Sequence, residues 1–379
     1  MTSRTKIRLA GIATAAFAAP VAAALRFAHV YRRRAGHPRP HPPTSDPSDF
    51  GLTFEDRSVP TTDGLVLPAW WIPAAGGAKA AGGAKAPAIV LVHGWESARH
   101  RTLPNAQFLH ALGYHVLTLD VRGHGANAAE TLAVSAGEFG ADALAGVEAA
   151  LADPAVTTVA VLGHSMGSVG AALAAAAEPR VAALVLTATP ADPYRMTRQT
   201  FRLAHIPLPD PIAYPLAWLT TRVYLEPRGR APREISASAA LGRYTGPVLA
   251  IHGTDDQIVP YGHLERLVAA GRSARAAIPD AAPIESLAIP EGRHSWLYEF
   301  PAYRGTIGRF LATALGGPMS PEQAARVAEA TDARRPVEPA HGFSALASVA
   351  PSETDGSNGA SAIPGAAAHP SIVAGERRS

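Results

Sequence analysis

The chain has no cysteine in its 379 residues. Disulfide bonds, thiolate metal sites and a cysteine nucleophile are therefore excluded from any account of its chemistry. Its fifteen histidines are scattered without the spacing of metal ligands, so neither a metal nor another cofactor is expected. Acidic residues are missing altogether from the first 45 positions, which hold eight of the 34 Lys and Arg residues. The rest of the chain sets 26 basic against 31 acidic residues, a balance of −5. The pI of about 9.3 is thus a property of the N-terminus, and a nucleic-acid-binding face is not implied. With 47% hydrophobic residues, the length suits one large α/β domain with appendages.

The N-terminal segment, residues 1–35, contains an uncharged run from Leu9 to Leu25 bracketed by basic residues. At 17 residues the run sits at the lower limit for spanning a bilayer, and a single-pass anchor is the expectation. A secretory signal is the rival, because Ala16-Phe17-Ala18 and Ala22-Ala23-Ala24 offer small-x-small cleavage sites. An amphipathic or structureless extension is the third reading. Arg32-Arg33-Arg34 favours the uncleaved anchor, and the flanking charges lean slightly to a cytoplasmic catalytic domain. Residues 36–50 are proline-rich and read as a semi-extended linker. Two copies of Gly-Gly-Ala-Lys-Ala, from Gly76 and from Gly82, read as a surface loop. Residues 317–379 read as a disordered tail with at most one short helix, Pro321 to Ala330.

Between them, residues 51–316 carry the folded unit. Phe54–Val59 and Leu65–Ile72 flank Thr62-Asp63-Gly64, a hairpin signal. From Ala88 onward apolar strand-like runs alternate with helical segments such as Leu103–Leu112, Phe139–Leu151 and Met166–Ala177. That alternation predicts an α/β fold, a mostly parallel sheet wrapped by helices with its sites at the C-terminal strand ends. An insertion at about 189–246, rich in bulky residues and prolines, is expected to form a small cap over the site.

Gly163-His164-Ser165-Met166-Gly167 follows the run Val156–Leu162 and precedes a small-residue helical stretch. A strand, a sharp turn and a helix with serine at the apex is the setting in which G-x-S-x-G carries meaning. A serine hydroxyl is a weak nucleophile near neutral pH, so a base and a group to orient it must follow. The run Pro247–Ile251 leads into His252-Gly253-Thr254-Asp255-Asp256, a loop with two carboxylates, and Ile284–Ile289 leads into Pro290-Glu291-Gly292-Arg293-His294. His294 thus follows the last strand, whereas His252 and His263 only flank the carboxylate loop and are not expected to be the base.

With His93-Gly94-Trp95, Asp120-Val121-Arg122-Gly123-His124-Gly125, the serine turn, the G-x-x-D-x-x-V-P pattern Gly253–Pro260 and Gly292–His294, the chain resembles the α/β-hydrolase superfamily from about Phe54 to Leu315. The first two of these segments look closest to its serine-aminopeptidase-like, bacterial-esterase branch. The resemblance implies that Asp256 rather than Asp255 is the acid, and that the backbone N–H groups of Trp95 and Met166 form the oxyanion hole. It implies a serine hydrolase acting on an ester or related acyl bond, with Ser165 as nucleophile and His294 as base. Acyl transfer, peptidase or amidase chemistry would run on the same machinery, and a membrane-tethered binding protein without turnover is the alternative of another class. The expected partner is a small acyl substrate with an apolar part. Ordinary structural roles weighed against these are a turn serine at Ser165, a surface histidine at His294, a helix N-cap at Asp256, and loop-fixing hydrogen bonds at His93 and His124.

Overall fold

A computed structural model describes residues 36–75, 85–128, 130–203, 206–224 and 230–336. The Leu9–Leu25 run, almost all of the Gly-Ala-Lys repeat and the tail beyond residue 336 lie outside the described residues. Eight strands form one sheet: β1 Glu55–Pro60, β2 Val66–Ile72, β3 Ala86–Val92, β4 His115–Leu119, β5 Val156–His164, β6 Val181–Thr187, β7 Val248–Gly253 and β8 Ile284–Ile289. Their order is β1-β2-β4-β3-β5-β6-β7-β8. The hairpin strands β1 and β2 pair antiparallel, β2 joins β4 antiparallel, and every later pairing is parallel. The apolar runs of β3 and β4 are continuous because both faces of these strands are covered.

The helices are α1 Leu103–Ala111, α2 Ala136–Leu151, α3 Met166–Ala177, α4 Pro193–Leu203, α5 Asp210–Tyr224, α6 Ala237–Leu241, α7 Gly262–Arg275, α8 Pro301–Leu315 and α9 Pro321–Ala330. Alternate residues of each strand feed two cores. Ala88, Val90 and Val92 of β3 pack with residues of α2, α3, α6 and α7, whereas Ile89 and Leu91 pack with residues of α1, α8 and α9. Ser135 starts α2 with a capping box, accepting from Gly137 N–H while Glu138 accepts from the Ser135 N–H.

The flanks differ from expectation in two respects. The helix read at Pro321–Ala330 forms as α9 with those bounds, but it is packed on the domain, because Ser320 and Gln323 cap it reciprocally and the buried Arg304 of α8 donates to the carbonyls of Ala328 and Glu329 at its end. The proline-rich residues 36–50 lie along the domain: the Gly36 carbonyl accepts from Val134 N–H at 2.5 Å, and Phe50 joins the core under α1. A run of prolines already restricted in φ loses little entropy on docking, so it serves as packing as readily as spacer.

Candidate active site

Ser165 stands between β5 and α3 with φ 53° and ψ −120°, a conformation that costs a non-glycine residue on the order of 1–3 kcal/mol. The turn is possible because its flanks have no side chains. A Cβ on Gly163 would lie 2.4 Å from the Gly167 carbonyl oxygen, and one on Gly167 would lie 2.3 Å from the carbonyl oxygens of Val92 and His93. The Ser165 N–H donates to Thr187 O at 2.8 Å, pinning the turn to the end of β6.

His294, on the loop after β8, brings Nε2 to 3.0 Å from Ser165 Oγ and Nδ1 to 2.7 Å from Asp256 Oδ2. A carboxylate cannot donate, so Nδ1 carries the proton and Nε2 presents its lone pair to the serine hydroxyl. Asp256 is buried. Its Oδ1 accepts from the N–H groups of Ile258 and Val259 at 2.9 and 2.8 Å. Burial alone would push this carboxyl up, but the charge of His294 and hydrogen bonds from His252 and His294 hold it well below the usual carboxylate range. Asp255 faces outward, exposed, with Thr254 Oγ1 at 3.3 Å. Asp256 therefore caps its own loop and holds the imidazole together, while α7 starts at Gly262 with no side-chain cap.

The backbone N–H groups of Trp95 and Met166 flank Ser165, and among the described residues neither has an intramolecular acceptor. The approach is close: a Cβ on Gly94 would lie 3.3 Å from the Cβ of Ser165. Beneath this loop His93 donates from Nδ1 to Gly94 O at 2.7 Å and accepts at Nε2 from Val121 N–H at 3.1 Å, a neutral tautomer fixed on both sides. Burial lowers its pKa to about 4. His124 is buried too, its Nδ1 at 2.9 Å from Arg122 O, and burial lowers its pKa to about 3. Both are loop-fixing residues, not bases. Asp120 locks the same region, accepting from Arg99 N–H at 2.7 Å, from the Arg99 guanidinium and from Ala126 N–H at 2.9 Å.

Two histidines that the sequence did not single out for function stand beside the three residues. His252, fully buried at the end of β7, has Nε2 2.7 Å from Val259 O and 3.3 Å from Asp256 Oδ2, so its N–H is shared between them. The signal was its position four residues before Asp256 across a tight loop. His164 lines the pocket beside Ser165, 5.1 Å from His294 between ring centres, and burial together with the His294 charge puts its pKa well below the ordinary value. Thr187 Oγ1 donates to Gly163 O, so it accepts from His164 Nδ1–H at 3.1 Å, leaving His164 Nε2 as an acceptor.

The pocket at Ser165 gives the centres of water-sized molecules about 70 Å³ and is lined by aromatic and apolar groups including Trp95, Leu162, Trp296, Leu297 and Tyr303. No described residue of the insertion 189–246 lines it, which corrects the expected cap over Ser165. The insertion is instead tied to the acid loop, through Gln199 Nε2–H to Gln257 O at 2.8 Å, and to α7, through Ala191 N–H to His263 Nδ1 at 3.1 Å.

This sheet order, with a serine at the turn after β5, a carboxylate after β7 and a histidine after β8, defines an α/β-hydrolase architecture. The family model described as serine aminopeptidase, S33, matches residues 83–226. An uncharacterized Mycobacterium tuberculosis protein, found in two strains, is 32% identical over 217 residues, covering 57% of this chain and 66% of the relative, short of two thirds of its length. Among solved structures, an esterase of Pyrococcus furiosus superposes with a TM-score of 0.58 at 20% identity, covering 75% of this chain and 98% of that one. An acylaminoacyl peptidase of Pyrococcus horikoshii superposes with 0.52 at 17% identity, covering 73% and 44%. The chain has the α/β-hydrolase fold, and the part of it over residues 83–226 is similar to the serine aminopeptidase family.

Proposed function

We propose that the protein is a serine hydrolase that cleaves an ester or related acyl bond through a Ser165–His294–Asp256 triad. The observation that carries this reading is the continuous hydrogen-bonded line from Ser165 Oγ through His294 to Asp256, at 3.0 and 2.7 Å. His294 Nε2 takes the hydroxyl proton as Oγ attacks the acyl carbon, and the imidazolium so formed is stabilised by Asp256. The oxyanion meets the N–H groups of Trp95 and Met166, which lose no intramolecular bond when they donate. His294 then hands its proton to the leaving group, and water repeats the sequence to release the acid. The aromatic lining supports a substrate with an apolar part.

The test is labelling of the full-length protein by a fluorophosphonate. The wild type should label, and Ser165→Ala should not, with hydrolysis falling about 10⁴-fold or more. Labelling of the folded variant would overturn the assignment. The match to the serine aminopeptidase model is the reason to include aminoacyl amides beside esters and thioesters in the substrate panel. The uncharged Leu9–Leu25 run supports attachment of this unit to a membrane by its N-terminus, which sedimentation of the full chain through carbonate extraction tests.

A further inference from the structure

Five large hydrophobic side chains stand out as exposed among the described residues, and three of them, Ile212, Trp218 and Leu219, are on α5 at 57, 51 and 51% exposure. Their spacing places them along one side of the helix, with exposed Pro215 between them, while Ala213, Ala217 and Thr221 face inward. The face opens toward solvent, not toward the Ser165 pocket.

Beside it runs a groove of about 110 Å³ between α4, α5 and α7, lined by Arg195, Arg198, Arg202, Arg266, Tyr214 and His263. Among the described residues its four arginines face two carboxylates: Asp210 pairs with Arg198 and Arg202, and Asp192 stands 3.5 Å from Arg195. Arg198 is 6% exposed, yet its Nη1 has no hydrogen-bond partner among the described residues. A buried guanidinium N–H without an acceptor is a cost that a bound anion removes. The charge is regional. Residues 189–246 hold eight arginines and four acidic residues, in a chain whose balance beyond residue 45 is −5.

The position of the N-terminus agrees. The chain enters the described structure at Gly36, hydrogen-bonded to Val134 just before α2, and Arg230 in the closing arm of the same insertion pairs with Glu138 in the first turn of α2. Gly36, where the described chain begins, and Arg230 of the insertion therefore both stand at the start of α2, and the sequence ahead of Gly36 holds the uncharged Leu9–Leu25 run and seven of the basic residues.

We propose that the insertion is a docking surface for an anionic phospholipid bilayer: Ile212, Trp218 and Leu219 enter the interfacial layer, and the arginine groove takes a headgroup phosphate. A tryptophan between aliphatic neighbours suits the headgroup depth, and arginines beside it suit an anionic surface. The surface adds to the serine chemistry and does not depend on it.

The experiment uses the full-length protein with vesicles of phosphatidylcholine alone or mixed with phosphatidylglycerol, some carrying brominated acyl chains. Tryptophan emission should be quenched by the brominated lipid on mixed vesicles, and Trp218→Phe should lose the larger part of that quenching while still binding. Ile212→Ser with Leu219→Ser should lower vesicle partition roughly tenfold, and Arg202→Gln with Arg266→Gln should weaken binding to mixed vesicles while leaving the weaker binding to neutral vesicles unchanged. Ser165→Ala should bind vesicles as the wild type does, so failure of the catalytic reading would not disturb this result. Quenching that survives Trp218→Phe unchanged, with partition unaffected by the α5 replacements, would assign membrane binding to the N-terminus alone and overturn the proposal. It is equally overturned if the α5 replacements abolish a dimer seen by sedimentation without changing vesicle partition.

Discussion

Along β3, Ala88 to Val92 are each at most 1% exposed, whereas α5 leaves Ile212, Trp218 and Leu219 half exposed or more. In the central strands β3 and β4 every apolar side chain has been removed from water by a helix on one face or the other, and folding itself explains the sequence. In the insertion three large apolar side chains meet solvent beside an arginine-lined groove, an exposure that folding alone does not explain. Polar groups do not divide the same way: Asp256 has a donor at each oxygen, but among the described residues buried atoms without a partner occur in both regions, Arg198 Nη1 in the groove and both ring nitrogens of His100 beside the sheet. A region with its apolar groups buried should respond to single replacements by large losses, and a region that leaves them in water by small ones.

The largest difference inside the sheet region should separate two adjacent carboxylates. Asp256→Asn turns an acceptor of the His294 Nδ1 proton into a group that can present N–H to it, favouring the wrong tautomer, and activity should fall about 10³- to 10⁴-fold. Asp255→Asn, whose side chain is exposed, should keep activity within about twofold. Steady-state kinetics on a soluble ester decide it; equal losses in two folded variants would place the acid wrongly.

That contrast was largely legible in the sequence. Strands covered on both faces read as unbroken apolar runs, and the serine turn, the G-x-x-D loop and the final histidine are set by local backbone geometry that only certain residues permit. What the sequence concealed depends on contacts between distant segments. His252 meets Asp256 only because the loop after β7 folds back on its own strand. The insertion reads as bulky and therefore as a cover for Ser165, yet hydrophobic content does not say which way a helix faces, and Gln199 draws it to the acid loop. Proline content likewise signalled an extended segment at residues 36–50 without signalling that Pro47 and Phe50 would be buried.

Acid should expose the tightly packed region next. His93, His100 and His263 have their pKa lowered from 6.5 to about 4, and His124 to about 3, in each case chiefly by burial. As pH falls through 6.5 the unfolded chain takes up protons that the native state refuses until about pH 4, so stability is lost between those values and the loss levels off below them. One such histidine accounts for a few kcal/mol. His100 isolates the effect, since neither ring nitrogen has a partner among the described residues. His100→Leu should keep its stability at pH 8 and lose less than the wild type by pH 4.5 in urea titrations; an unchanged pH slope would refute the assignment.

His252 should give a smaller effect. It does not touch the serine, and it acts by donating toward Asp256 while holding Val259, so it is a positioning residue. His252→Gln, which can still donate, should lower kcat by only a few-fold, and His252→Phe by about tenfold to a hundredfold with KM little changed. The Phe variant should also raise the apparent pKa of the Asp256–His294 unit's acid limb, a shift that a purely structural role for His252 would not produce.

The smallest expected effect is the one that sharpens the comparison most. Ile212→Ser and Leu219→Ser remove apolar groups that are already half in water, so little burial is lost, and a surface replacement away from caps and cores usually stays within about 0.5 kcal/mol. Leu91→Ser, at 0% exposure in β3, removes a fully buried side chain and leaves a hydroxyl in an apolar core, a loss of about 3 kcal/mol or more. Urea denaturation of the three variants without lipid measures both sides of the contrast. If Ile212→Ser or Leu219→Ser proved as damaging as Leu91→Ser, the α5 face would be buried in solution by this chain or by a second copy of it. The insertion would then be a piece of the same satisfied core and not a surface waiting for a membrane.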